Sequence, residues 1–310
     1  MIFRLKAWQL PFVTILLAVG LIAGLRYWRW RAATPELLQR HFPTRLSTLA
    51  YVDVEVLNRA GLLDRLVGKA GGQEADYLRF VEESAFDYQR DLRSLLIGFD
   101  GETTHVLATG TFDWTALRNY AESRNGVCRF SLCRMPAYGK NRAISWGPVR
   151  SDVIAFSVGP DQWSAGLLLS EPKSNRSPVL VTAPVWLSST GKALRDAQNL
   201  PAGLRSFSRA LEPADRLALA VSASKLNDGA FELQLTADCA RPEIAAQIAD
   251  QLRQVTATLR NLLVQEHKMP NPADLSGVLV AGTFQSQANR VTGVWPLPRP
   301  FVEMLTVNGP

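Results

Sequence analysis

Residues 92–112, LRSLLIGFDGETTHVLATGTF, read as two strands joined by a tight turn. Leu92 to Phe99 is an apolar run of strand length, and Asp100-Gly101 is a hairpin signal because glycine accepts the positive φ that such turns demand. His105 to Phe112 then supplies the returning strand. Residues 216–236, RLALAVSASKLNDGAFELQLT, have the same shape, with Arg216 to Ser222 outbound, Asn227-Asp228-Gly229 at the turn and FELQLT returning. In FELQLT, Phe231, Leu233 and Leu235 point one way and Glu232, Gln234 and Thr236 the other, the two-residue alternation of a half-buried strand.

Around each hairpin the same element order recurs. Before the first comes LAYVDVEVL from Thr48, a strand with Asp53 and Glu55 on one face, then helical stretches from Asn58 to Val67 and from Glu74 to Ser84 separated by GKAGGQ. After it, Asp113 is placed to cap a helix over Trp114 to Ser123, and strands follow near Cys128 to Arg134 and Ile144 to Val158. The second half reads as a strand at Pro184 to Ser188, helices at Gly191 to Gln198 and Gly203 to Leu211, the second hairpin, and a long helix opened by Pro242. That helix keeps Ile244, Ile248, Leu252, Val255, Leu259 and Leu262 on one face. Strands near Val278 to Phe284 and Arg290 to Val294 close it. A β-α-β-β-α-β order written twice predicts a duplicated ferredoxin-like α+β sandwich.

Charge is distributed unevenly along the 310 residues. Residues 1–45 hold seven of the 34 Lys and Arg but one of the 28 Asp and Glu, which leaves 27 of each sign in the remainder. The sequence pI of 9.4 therefore does not describe a basic nucleic-acid surface, which needs clustered cations on the folded body. The basic end flanks an uncharged run, LPFVTILLAVGLIAGL from Leu10 to Leu25. As a helix, residues 8–27 would reach ~30 Å, the thickness of a bilayer's hydrocarbon. Trp8, Tyr27, Trp28 and Trp30 stand where interfacial aromatics lie. A cleaved signal peptide is the competing reading, and the bulky, basic RYWRWRAAT after the run disfavours cleavage. Two basic residues before the run and five after it favour a cytoplasmic body, although long trailing domains obey that rule weakly. Cys128 and Cys133 lean the other way: they bracket CRFSLC and would pair if the segment is a hairpin, but would point to opposite faces of one straight strand.

No string carries chemistry with specificity. Ser189-Thr190-Gly191-Lys192 and Ser222-Ala223-Ser224-Lys225 both fit the Ser-x-x-Lys pattern in which a lysine helps remove a serine proton, but its partner motifs are absent. Trp186 stands where a phosphate loop needs glycine. The histidines, His41, His105 and His267, are far apart, and no cofactor or metal motif is found. Asp53/Glu55 and Glu82/Glu83 read as solvated carboxylates more readily than as an acid–base pair. Trp146, Trp163, Trp186 and Trp295 are candidate binding or core aromatics, and WPLPRP has polyproline character.

FVEESAFDYQRDL (Phe80 to Leu92), GTFDW (Gly110 to Trp114) and NGVCRFSLCRMP (Asn125 to Pro136) resemble uncharacterised bacterial proteins with an N-terminal anchor and an exported body. That resemblance implies no activity and transfers no functional residue. The expected organisation is a cytoplasmic stub and transmembrane anchor at 1–30, a basic linker at 31–47, a first α+β domain at 48–170, a linker at 171–183 and a second α+β domain at 184–310. The expected function is a membrane-anchored, extracytoplasmic binding or scaffold module without catalysis. Its expected partners are the bilayer through residues 8–27 and another envelope protein, with no nucleic acid and no cofactor. An envelope serine hydrolase using the Ser-x-x-Lys pair and a cytoplasm-facing scaffold are the alternatives.

Overall fold

A computed structural model of the chain describes residues 33–44, 46–63, 75–137, 141–170, 181–195, 202–223, 231–267 and 269–307. In the first half, helix α1 (Pro35–Gln39) precedes β1 (Thr48–Asp53), α2 (Val54–Arg59), α3 (Ala75–Ser84), α4 (Tyr88–Asp91), β2 (Leu92–Phe99) and β3 (Thr104–Gly110). Then come α5 (Trp114–Ser123), β4 (Val127–Arg129), β5 (Leu132–Pro136), β6 (Ala143–Arg150), β7 (Val153–Gly159) and α6 (Gly166–Leu169). The second half runs β8 (Val185–Ser189), α7 (Gly191–Arg195), α8 (Ala202–Leu211), β9 (Arg216–Ala223), β10 (Phe231–Asp238), α9 (Pro242–Gln265), α10 (Leu275–Val280), β11 (Thr283–Gln287), β12 (Arg290–Leu297) and α11 (Arg299–Val307).

The strands form one twelve-stranded sheet in the order β11-β12-β10-β9-β8-β1-β2-β3-β7-β6-β5-β4. Every neighbouring pair is antiparallel. This corrects the ferredoxin-like sandwich. A split βαβ unit needs a crossover helix that returns the chain parallel to the strand it left. Here α2, α3 and α4 all lie between β1 and β2, yet the chain re-enters directly beside β1 and antiparallel to it, with Asp53 opposite Ser94. Read outward from the β1–β8 pair, the two halves nonetheless share one order: first, second and third strands, then the last, then the one before it.

One transverse row of direct partners crosses both halves: Trp295, Leu233, Val221, Val185, Val52, Leu95, Ala108 and Ile154. This is the face that the larger helices cover. In the second half, Ile248 and Leu252 of α9 pack on it with Leu235, Phe284 and Trp295. The opposite face of the first half is closed by the chain around Phe42 and Leu46, both buried. Gly98 lets them approach, since a Cβ there would lie 2.6 Å from Leu46 and 2.8 Å from Phe42.

Several local expectations are revised. Strand β1 stops at Asp53, whose carboxylate accepts from the Val56 N–H at 2.9 Å and caps α2. Residues 128–134 are a hairpin, with Phe130 at φ +55 in its turn. Residues 144–158 are two strands, β6 and β7. Residues 275–280 are helical because Asp274 accepts from Gly277 N–H at 3.0 Å and starts α10. Pro298 and Pro300 of the WPLPRP run belong to the start of α11, with Phe301 N–H donating to the Pro298 carbonyl, and not to a polyproline arm.

The expected anchor over residues 8–27, with Trp8, Tyr27, Trp28 and Trp30, lies outside the described residues. Among the described residues no helix is long and apolar enough to cross a membrane. The longest, α9, has 24 residues but carries Asp250, Arg253 and Arg260 on its outer face. The single-pass, membrane-anchored reading is therefore corrected to a helix-covered sheet with no span among the described residues. The expected localisation, a single-pass membrane protein with an extracytoplasmic body, is corrected on the same finding, since no membrane span is present among the described residues.

The joint between halves gives a direct test. Trp186 of β8 is 2% exposed and stacks on Tyr51 of β1 with ring centroids 5.7 Å apart. Trp186→Ala is expected to cost about 3–5 kcal/mol, the range for emptying a buried tryptophan site, and to shift the urea midpoint of the whole sheet. A second-half transition left in place while the first half melts would show that the halves fold independently.

Candidate ligand-binding cleft

In the first half the sheet face under the helices is not filled. Leu95 and Ile97 of β2, Val106 of β3 and Phe156 of β7 sit on interior strands yet stay half-buried. Their neighbours on the opposite face, Leu96 and Leu107, are fully buried. The space above them is a cleft of about 520 Å³. Its floor includes the row Ile97, Val106, Phe156 and Trp146, each the direct partner of the next. Its roof is α3 and α5, through Phe80, Leu117 and Tyr120.

The roof forms from short-range chemistry. Asp113 accepts from Thr115 and Ala116 N–H groups at 3.0 and 2.9 Å, which satisfies exposed donors of the first turn of α5. Helix α3 rests on it edge to face, Phe80 against Tyr120 at 5.1 Å, and Phe86 stacks on Phe112 at 5.4 Å. Tyr77 donates to Asp87 Oδ1 at 2.9 Å. Burial pushes the Tyr77 phenol up, and the Asp87 hydrogen bond adds to it, so this clasp is protonated across ordinary pH.

The row continues past Trp146 to Cys133 and then Cys128, at the outer edge of the sheet. The two cysteines face each other across the β4–β5 hairpin, with Cα atoms 4.0 Å apart, and are disulfide-bonded. The hairpin turn brings residues five apart to one face. Arg129 and Arg134 flank it and lie over the Trp163 ring at 5.3 and 5.1 Å. Burial pushes the thiol of the remaining cysteine, Cys239, up, so it is an inert apolar side chain of the second-half core.

Polar groups are segregated onto the other face. Ser94 and Thr109 hydroxyls bond at 2.7 Å, Ser145 Oγ accepts from Ala165 N–H at 3.0 Å, and His105 Nδ1 lies 2.9 Å from Ser157 Oγ. His105 Nε2 stands 3.7 Å from Asp100 Oδ2. Serine, histidine and aspartate in this order have the connectivity of a hydrolytic triad, which the sequence did not reveal because the three lie on β7, β3 and a turn. The trio is structural: Ser157 and His105 are fully buried, so no scissile bond reaches the hydroxyl.

The other candidates disperse. Ser189 is buried at the end of β8 and its hydroxyl bonds Thr48 Oγ1 at 2.9 Å, whereas Lys192 is exposed on α7. Lys225 lies outside the described residues. Glu55 pairs with Arg59 and Glu83 with Arg124, so neither of the two acidic pairs is arranged as an acid and base around a common substrate. His41 Nδ1 meets the Leu168 carbonyl at 3.0 Å, and among the described residues no cluster fits a metal ion. Of the four candidate tryptophans, Trp146, Trp163, Trp186 and Trp295, only Trp146 borders the cleft.

No protein-family model and no curated protein matches this chain. Among solved structures, crystal form I of TP0453 is similar over 87% of this chain and 96% of its own, at TM-score 0.50 and 10% identity. Crystal forms III and IV of TP0453 give TM-scores of 0.47 and 0.42 at the same identity. The likeness to form I is one of fold alone.

Breaking the hairpin crosslink tests the edge of the cleft. Cys128→Ser is expected to lower stability by roughly 2 kcal/mol, the low end for so short a loop. Alkylation of the folded, non-reduced protein is expected to leave Cys128 and Cys133 unmodified in the mass spectrum. Modification of both would show that the pair is reduced.

Proposed function

We propose that the chain is a binding module, not an enzyme, and that the first-half cleft holds an apolar small molecule. The observation that carries this reading is the row of half-buried apolar residues on interior strands beneath two helices. A folded protein does not ordinarily leave such a face without an occupant. The volume lies within the ~300–1,000 Å³ of small-molecule sites. Among the described residues the lining offers no carboxylate, amine, imidazole, thiol or aliphatic hydroxyl. Such a cavity gains affinity from apolar surface removed from water, about 25 cal/mol per Å², and has nothing with which to activate a substrate.

The second half supports the role by contrast. At 1.5 Å per residue α9 reaches ~36 Å and α5 ~15 Å, so the long helix fills its side of the sheet while the short one leaves room. Phe207, Phe284 and Trp295 pack together in the second-half core, with ring centroids 5.0 to 6.2 Å apart. One half is the stable frame and the other carries the site.

Titration with N-phenyl-1-naphthylamine, a neutral apolar fluorophore, is expected to give saturable enhancement in the micromolar range. Ala108, 6% exposed, sits mid-floor. Ala108→Phe is expected to fill the cleft and weaken the probe at least about tenfold, a loss of some 1.4 kcal/mol, with the thermal transition retained. Unchanged binding in that folded variant would place the probe elsewhere and reject the cleft.

A further inference from the structure

A second hollow, about 400 Å³ and lined by Glu83, Asn119, Tyr120, Ser123 and Arg124, shares Tyr120 with the apolar cleft. Tyr120 of α5 thus lines both an apolar space and a polar one, and Arg124, which lines the polar one, lies over its ring. We infer that the ligand is a single-chain amphiphile with an uncharged, hydrogen-bonding head, its tail in the cleft and its head in the hollow of Asn119, Ser123 and the Glu83–Arg124 pair. This rests on the reading of the cleft as a ligand site.

The tail must be the apolar part because the cleft lining could not solvate a head: burying an unpaired polar group costs roughly 1–3 kcal/mol in proteins, and a charge far more. The head must be uncharged because the hollow is already balanced. Arg124 Nη2 donates to both carboxylate oxygens of Glu83, at 3.1 and 3.2 Å, and its guanidinium lies 5.5 Å over the Tyr120 ring. An anionic head would have to displace Glu83 or sit beside it, and a cationic head would meet Arg124. A hydroxyl-bearing head meets neither penalty. It finds the Asn119 amide, the Ser123 hydroxyl, whose proton goes to the Tyr120 carbonyl at 2.9 Å so that its lone pairs face outward, and the outer N–H groups of Arg124.

The pair also ties Glu83, at the end of α3, to Arg124, at the end of α5. A head bound there touches both roof helices over the tail.

The experiment is displacement of bound N-phenyl-1-naphthylamine by 1-monolaurin and by laurate, each below its critical micelle concentration, from the full chain and from Glu83→Gln and Arg124→Gln. In the native chain monolaurin is expected to bind about tenfold more tightly than laurate of the same chain length, as a charged group set against its like loses at least one good hydrogen bond. Shortening the monoglyceride chain is expected to weaken it about fourfold per methylene removed. Glu83→Gln, which leaves the Arg124 charge unmatched, is expected to reverse the preference toward laurate, and Arg124→Gln to deepen the preference for monolaurin. Equal displacement by both amphiphiles, unchanged by either substitution, would overturn the inference and leave the cleft standing. Displacement by neither, from a chain that still binds the fluorophore, would overturn it equally. Failure of the fluorophore itself to bind would remove the cleft and the inference together.

Discussion

The antiparallel pairing of β1 with β8 is the constraint on which the architecture depends. Each half alone would end in an unpaired strand carrying apolar side chains, Val52 and Tyr51 on one side, Val185 and Trp186 on the other. An exposed apolar edge of that kind is a template for aggregation. Joining the two edges removes both liabilities at once. It also aligns the helix-facing rows, so that Val52 and Val185 extend a line of direct partners from Trp295 to Ile154. The Asp53 N–H donates to the Pro184 carbonyl at 2.7 Å at the end of this joint, which leaves the Asp53 side chain to turn the chain into α2.

Given a common sheet, the difference between halves comes from the helix entered after the third strand. Beyond β10 the chain forms a 24-residue helix that lays Ile248 and Leu252 along the sheet. Beyond β3 it forms a ten-residue helix with only Leu117 and Ala121 buried. The first half spends its remaining length on β4 and β5, a hairpin that widens the sheet. More sheet under less helix leaves uncovered floor, and α3, among whose residues only Ser84 is buried, is a thin cover for it. The cleft is the geometrical consequence of that imbalance.

Local features are legible in the sequence and non-local ones are not. The Asp100-Gly101 turn, the Asp113 cap and the apolar stripe from Ile244 to Leu262 are set by residues within a few positions of one another, and each forms as its pattern implies except at the stripe's last member, Leu262, which is exposed. The strand order is set by which edges meet across more than a hundred residues. Ser-His-Asp proximity, the row from Ile97 to Cys128 and the shared Tyr120 wall belong to the same class. The misreadings are equally physical. Asp53 sits in a good alternating pattern but, as a short acceptor, captures the Val56 N–H and ends the strand. Asp274 does the same before an apolar run that reads equally well as strand or helix. The Cys128–Cys133 segment reads either as one strand or as a disulfide-closed hairpin, because a hairpin with Phe130 in the left-handed region carries no glycine to announce its turn.

Why the helix-side face stays apolar is explained by where the polar residues went. On β2, β3, β6 and β7, alternation sends Ser94, His105, Thr109, Ser145 and Ser157 to the face covered by Phe42, Leu46 and the chain around Ala165. There each bonds across a strand or to a covering backbone group. Buried hydroxyls and an imidazole are tolerated when satisfied within a rigid, fully closed layer, and are costly where packing opens and closes. A face that must exchange an apolar guest for water is better built from side chains with no hydrogen bonds to lose. By placing the hydroxyls and the imidazole of these strands behind the sheet and leaving Tyr120 and Trp146 as the side chains with an N or O atom among the described cleft lining, the chain keeps the strands' ordered network independent of whether the cleft is occupied. The same alternation that fixes strand register thus separates the layer that specifies the fold from the layer proposed to bind.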